Sequence, residues 1–123
     1  MFLVDGTNII LSRGDTGAVK INAVATLDGA AFTFGADDRA LFSVKNSNGE
    51  IIMQKAYTMT NNSFTVYFQN EDTEGLAAGS YSWDVRYVVN AYFDASGNIV
   101  NGDQIITPKN PMTLTLLNVV GDV

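Results

Sequence analysis

The side chains able to do chemistry in this chain are carboxylates, lysines, tyrosines and hydroxyls, because the sequence contains neither histidine nor cysteine. That removes disulfides, Cys and Ser–His nucleophile systems, zinc fingers and His-ligated metals. Glu71, Asp72 and Glu74 crowd one short segment. Two carboxylates facing a sugar cleft, one kept protonated by burial, would serve glycosidase-type chemistry. Acids ahead of Gly75 equally suit a single helical turn closed by glycine, and that reading is preferred. Asp94-Ala95-Ser96-Gly97-Asn98 sets oxygen donors at alternate positions, as a calcium loop does. Ile99 and Ile105 stand where an EF-hand needs its glycine and its bidentate glutamate, so Asp94 and Asn98 are expected to shape a hairpin loop, with a surface Ca²⁺ as the alternative. Asp37-Asp38 reads as a loop before a strand. Arg13-Gly14-Asp15 is the tripeptide of integrin ligands, but it lies between two strand-like runs. There Gly14 serves a turn and Asp15 caps backbone N–H groups. No cofactor or metal is implied.

Aromatic side chains offer another chemistry, a platform for sugar rings. Trp83, Tyr87 and Phe93 share one face of an alternating segment, which assigns them to the core. Tyr67 and Tyr92 fall on the opposite faces of their strands and are expected to be exposed. With Val24, Val88 and Leu117 also off the core face, they outline an apolar outer surface of the kind that meets a protein partner.

The elements that must position these residues are strands. From Tyr81 to Phe93 the odd positions Tyr81, Trp83, Val85, Tyr87, Val89, Ala91 and Phe93 are apolar, while Ser82, Asp84, Arg86 and Asn90 fall between them. Period two over this length predicts a central strand, one face in the core. Val19 to Leu27, Ala40 to Lys45, Glu50 to Thr58 and Phe64 to Gln69 continue the pattern. Turn chemistry separates them at Asp28-Gly29, Asn46-Ser47-Asn48-Gly49 and Asn61-Asn62. Gln104 to Thr107 and Met112 to Val120 are extended pieces broken by Pro108 and Pro111, which bar a central ladder position. The helical turn at Glu71–Leu76 would carry the chain from one sheet to the other. Seven or eight short strands predict an all-β antiparallel sandwich.

A chain of 123 residues, 46% apolar and 16% charged, suits a single domain with its own core, residues 1–7 forming a loose N-terminal arm. Seven basic against thirteen acidic residues give a net charge of −6, which argues against binding a phosphate backbone. The first residues, Met1-Phe2-Leu3-Val4-Asp5, lack the basic and apolar regions of a signal peptide. No apolar stretch reaches the length needed to span a bilayer. The expected location is therefore without secretion, and Asn61-Asn62-Ser63 is a hairpin turn rather than a glycosylation site.

The string Gly75-Leu76-Ala77-Ala78-Gly79-Ser80-Tyr81-Ser82-Trp83-Asp84-Val85 carries most information. A short turn, Gly79, and then Tyr81 opening a long strand that holds Trp83 resembles the tyrosine corner of immunoglobulin-like sandwiches. In such a corner the ring packs at the end of the core while its hydroxyl bonds backbone at the crossover. Gly14-Asp15-Thr16 precedes it, and Glu71-Asp72-Thr73-Glu74-Gly75-Leu76 follows the strand at Phe64. Together these resemble the small Ig-like modules of tailed-phage and prophage structural proteins, notably the N-terminal module of baseplate upper proteins. The resemblance covers about residues 8–120 and departs between Tyr92 and Pro111, where the last hairpin is longer. It implies an Ig-like β-sandwich and a non-enzymatic virion component of tail, baseplate or capsid. Such a component resides in the virion, or in the bacterial cytoplasm when expressed from a prophage. Its partners are proteins, through docking on other virion proteins or self-association into a homo-oligomer. The alternative is a carbohydrate-binding β-sandwich for adsorption to cell-surface glycans.

Overall fold

The computed structural model describes residues 1–23, 26–27, 30–31, 33–106 and 112–118. The chain runs β1 (Phe2–Asp5), β2 (Asn8–Ser12), β3 (Gly17–Asn22), β4 (Thr26–Leu27), β5 (Ala30–Ala31), β6 (Arg39–Lys45), β7 (Ile51–Thr58), β8 (Ser63–Phe68), α1 (Asn70–Thr73), β9 (Gly79–Val89), β10 (Tyr92–Phe93), β11 (Ile99–Asn101), β12 (Gln104–Ile106) and β13 (Met112–Leu117). It is an all-β protein. Seven strands form one sheet in the order β1-β2-β13-β9-β6-β7, with β12 also paired to β9. Within it β2 and β13 run parallel and the other pairs antiparallel. A two-stranded sheet, β3–β8, faces it across the core.

The alternation of apolar residues explains both layers. Ala40, Phe42 and Val44 of β6 and Trp83, Val85 and Tyr87 of β9 are buried, as are Phe64, Val66 and Phe68 of β8. Their rings interlock. Phe42 meets Phe68 edge-on at 6.0 Å between centroids, and Phe64 meets Tyr87 edge-on at 6.2 Å. Each such side chain contributes about 1.5–3 kcal/mol by leaving water, plus the ring-pair term. The central strand is β9, which holds β6 along one edge and β13 then β12 along the other. Ser43 and Asp84, cross-strand partners on the outer face, are buried as well.

The turns expected at Asn46–Gly49 and at Asn61-Asn62 are formed. Asn61 and Asn62 both take positive φ, 49° and 58°, as a two-residue hairpin with a type I′ turn requires. The Asn46 side chain accepts the N–H groups of Asn48 and Glu50, both at 3.0 Å. Tyr81 donates its hydroxyl to the carbonyl of Ala77 at 2.6 Å, while its ring packs against the core. The corner expected from Gly79-Ser80-Tyr81 is thus formed.

Three expectations are corrected. Residues 1–7 are not a loose arm, because Phe2–Asp5 hairpins onto β2 with Asp5 opposite Asn8. Gly6 at φ +61 supplies the first central position of the tight turn. The strand begun at Tyr81 stops at Val89, not Phe93. Asn90 at φ +50 breaks the pleat, so Phe93 leaves the core and stands 45% exposed beneath the Arg39 guanidinium. The extended segments number thirteen among the described residues rather than seven or eight, the excess being short ribbons such as β4–β5 and β10–β11. Val24, Ala25, the Asp28-Gly29 turn, Pro108, Pro111 and Val120 lie outside the described residues.

Candidate functional site: an apolar flap and an open seam

Two of the acidic candidates, Asp72 and Asp94, take structural roles, and Glu71 and Glu74 are exposed. The Asp72 carboxylate accepts the Gln69 N–H at 2.7 Å and the Lys55 ammonium at 2.5 Å, which starts α1 and ties it to β7. Asp72 is more enclosed than a solvated helix-start acid, and Gly75 does not take the left-handed conformation of a C-cap. Asp94 accepts the N–H groups of Ser96 and Asn98, both at 2.9 Å, and those backbone donors hold its carboxyl below the usual range. That is the hairpin loop expected there. Among the described residues no three acidic side chains converge in a way that would hold a metal.

Arg13-Gly14-Asp15 is fastened down rather than displayed. Arg13 donates to the carbonyl of Leu76 at 3.0 Å, Gly14 N–H donates to Thr73 Oγ1 at 2.8 Å, and Asn70 donates to Gly14 O at 2.8 Å. This turn therefore clamps α1 and the crossover. Asp15 pairs with the Met1 ammonium instead of capping backbone N–H groups.

The expected outer surface divides. Tyr67 is 55% exposed, on the face of β8 turned away from the large sheet. Val88 belongs to the opposite outer face, so these two share no surface. Val88 is moreover buried, at 3% exposure, which corrects its place in a partner surface. The loop at Gly102 crosses so near that a Cβ there would overlap the Val88 side chain, and Ile105 of β12 pairs beside it. Leu117 is half-buried at the end of β13. Tyr92 is exposed, as expected.

What gathers around Tyr92 was not legible residue by residue. Tyr92, Phe93, Val100 and Ile105, 45–63% exposed, all sit on the segment that leaves β9 at Asn90, forms β10–β11 and returns as β12. The register slips between Tyr92 and Phe93, so Val100 is the extra residue of a bulge. Asp38 anchors the base of this flap. Buried at 5% exposure, it accepts the Gly35 N–H at 2.7 Å and the Asn90 N–H at 2.9 Å. Asp103 braces the middle, accepting from the Asn90 side chain at 2.8 Å and from the Tyr92 hydroxyl. Through that bond Asp103 raises the Tyr92 phenol above its ordinary pKa, and the same bond lowers the Asp103 carboxyl.

The second feature is a cleft of about 270 Å³ between the β1–β2 hairpin and β3, floored by Trp83, Val85 and Tyr87 and walled by Val4, Val19 and Ile21. The indole N–H of Trp83 is used, donating to the carbonyls of Thr7 and Thr113 at 3.1 Å each. The Tyr87 hydroxyl has no hydrogen-bond partner among the described residues, and burial pushes its pKa up to about 12. It remains a proton donor at any physiological pH.

Among the described residues no helix is long and apolar enough to cross a membrane. No protein-family model matches the chain, and comparison with curated proteins and with solved structures found no match.

Proposed function

We propose that the chain is a non-enzymatic, immunoglobulin-like interaction module that builds the virion of a tailed phage or prophage, docking on other virion proteins or on its own copies through the β10–β12 flap. The observation that carries the docking role is the flap itself. It sets four large apolar side chains in water on one braced projection, where scattered single exposures would be ordinary. Aromatic anchors beside an arginine, here Tyr92 and Phe93 with Arg39 at 5.2 Å from the Phe93 ring, are the composition of interface hot spots.

Supporting the Ig-like reading are the order β13-β9-β6-β7 opposite β3–β8, the parallel β2–β13 pair inside the β1 edge, and the Tyr81 corner. The virion assignment rests on the resemblance carried by Gly14-Asp15-Thr16, Glu71–Leu76 and Gly79–Asp84. Genomic neighbourhood tests it: tail, portal or capsid genes are expected next to this one, and a setting among metabolic genes overturns it. The docking surface is tested by light scattering of the purified chain, alone and with the products of neighbouring genes. Val100→Asp with Ile105→Asp is expected to abolish complex formation while leaving the fold's circular dichroism unchanged. Complexes indifferent to both substitutions would refute the flap.

A glycan-binding reading has one observation in its favour, the exposed Tyr92 and Phe93 beside the polar pair Asn90 and Asp103. A broad glycan array decides it, and a blank array excludes it.

A further inference from the structure

The cleft runs beside an unpaired strand edge, and its geometry specifies what fits. Ala23 donates its N–H to the carbonyl of Asn62, which places the odd residues of β3 in hydrogen-bonded pairs with β8. Antiparallel pairing alternates, so Ala18, Lys20 and Asn22 turn their N–H and C=O groups away from β8. Their partners show the same alternation from the other side. Ser63 exchanges backbone bonds with Thr60, and Tyr67 uses its N–H and C=O toward Tyr57 and Lys55. The outward edge of β8 is therefore engaged at Ser63 and Tyr67, whereas among the described residues nothing pairs with the outward edge of β3.

Across the cleft β1 is arranged likewise. Ser12 donates to the carbonyl of Met1, so Met1, Leu3 and Asp5 face β2 while Phe2 and Val4 turn their backbone outward. The seam is closed at one end, where the Phe2 ring lies so tightly on Gly17 that a Cβ there would overlap it. It widens toward Val4, Thr7 and Asn22, over Trp83 and Tyr87. Apolar floor, free β edge and a phenol hydroxyl that meets water in the cleft thus occur together.

We propose that this seam is a β-strand addition site for an extended segment of a partner protein that alternates apolar residues with a central carboxylate. The segment's main chain pairs with Ala18, Lys20 and Asn22, and its alternate side chains enter the cleft. Charge selects the occupant. Among the described residues Lys20 is the only charged one lining the seam, and it has no ion pair with any of them. A second copy of β3 pairing antiparallel through its own Ala18, Lys20 and Asn22 would put Lys20 against Lys20, and a lysine at a strand edge opposes such self-pairing. An acidic strand places its carboxylate where that ammonium stands. The proposal goes beyond the flap's role and does not depend on it.

The probe is acetyl-Val-Thr-Val-Glu-Val-Thr-Val-amide, titrated into the isotopically labelled whole chain and followed by NMR. Binding is expected to shift the amides of Ala18, Lys20 and Asn22, slow their exchange about tenfold or more, and bring probe valine methyls near Val19, Ile21 and Tyr87. Lys20→Glu should weaken this probe about fivefold and favour, by a similar factor, the probe carrying lysine at its centre. N-methylation of the probe's glutamate removes the N–H that faces Lys20 and should abolish binding, with the protein left unaltered. No shift at the probe's solubility limit, shifts confined to other surfaces, or equal binding by the N-methylated probe would each overturn the proposal.

Discussion

Replacing Asp38 with alanine should loosen the flap before it unfolds the domain. Asp38 is 5% exposed and holds two backbone N–H groups, those of Gly35 at 2.7 Å and Asn90 at 2.9 Å. A hydrogen bond to a charged acceptor contributes about 1.5–3 kcal/mol, and an orphaned buried donor costs about 1–3 kcal/mol. Gly35 and Asn90 are themselves exposed, so water recovers part of this and a total near 2 kcal/mol is appropriate. For a domain of this length that corresponds to a Tm lower by about 8 °C. It is also a sizeable share of the about 5–15 kcal/mol that holds such a domain folded. Guanidinium unfolding followed by the fluorescence of Trp83, the sole tryptophan, gives the global value. Native-state hydrogen exchange gives the local one, and protection should fall further at Asn90, Ala91 and Asp103 than at Val85 or Phe42. Asp38→Asn should recover only part of the loss, since one of the two accepting oxygens becomes a donor. A Tm within about 2 °C of the parent, or a protection loss spread evenly over β9, would refute the anchoring role.

Tyr81→Phe removes the 2.6 Å bond to Ala77 O while keeping the ring, so a stability loss of about 1 kcal/mol is expected in the same denaturation assay. Asn61 sits at φ +49, so Asn61→Gly should leave stability unchanged or raise it, whereas Asn61→Ala should cost about 1 kcal/mol. In the Tyr92–Asp103 pair the phenol is raised and the carboxyl lowered. Tyr92 therefore contributes stability fully present below about pH 10 and lost as pH rises through its folded value. Asp103 contributes stability present above about pH 4 and lost as pH falls through its own. Ultraviolet titration of Asp103→Asn should show one tyrosine ionising earlier than in the parent. Lys55→Met should destabilise by about 1–2 kcal/mol, because the ammonium bonds both Asp72, at 2.5 Å, and Tyr67 O, at 2.8 Å, in a partly enclosed pair. A double-mutant cycle with Asp72→Asn isolates the share due to the charge pair.

The strands were readable because burying one face imposes period two, and Phe64, Val66 and Phe68 obey it as cleanly as Trp83, Val85 and Tyr87. The corner was readable because Tyr81 combines a local turn with a hydroxyl that reaches four residues back. What failed depended on single backbone angles or distant coverage. Phe93 keeps the period of β9, and only the φ of Asn90 takes it off the core face. Val88 alternates outward correctly, yet β12 and Gly102 return over it from more than ten positions along the chain. Asp37-Asp38 does lie in the loop before β6, but the anchoring of Asn90 by Asp38 has no signature, because both its donors are backbone groups, one of them far along the chain. The free edge of β3 has no side-chain signature at all. It follows from which residues of β8 are already engaged.

The two lateral seams of the protein show why one is a binding site and the other is not. On the β7–β8 side the gap is filled by the protein's own groups. Tyr57 stacks on Phe64 at 5.7 Å and accepts the Tyr67 N–H, while Lys55 spans to Tyr67 O and Asp72. Burial raises the Tyr57 phenol, as expected for a hydroxyl committed to that seam. On the β1–β3 side the corresponding residues are Val4, Lys20 and Asn22, too short or too outward to cross, and Phe2 closes only the end at Gly17. Water satisfies an exposed strand edge at little penalty, but it does not favour the apolar floor of Trp83 and Val85. A strand that brings both backbone partners and apolar side chains satisfies the two together, as neither water nor a flat surface can. The asymmetry between the seams therefore predicts strand capture on the β1–β3 side alone, with the β7–β8 edge inert to the same peptide while Lys55 and Tyr57 remain in place.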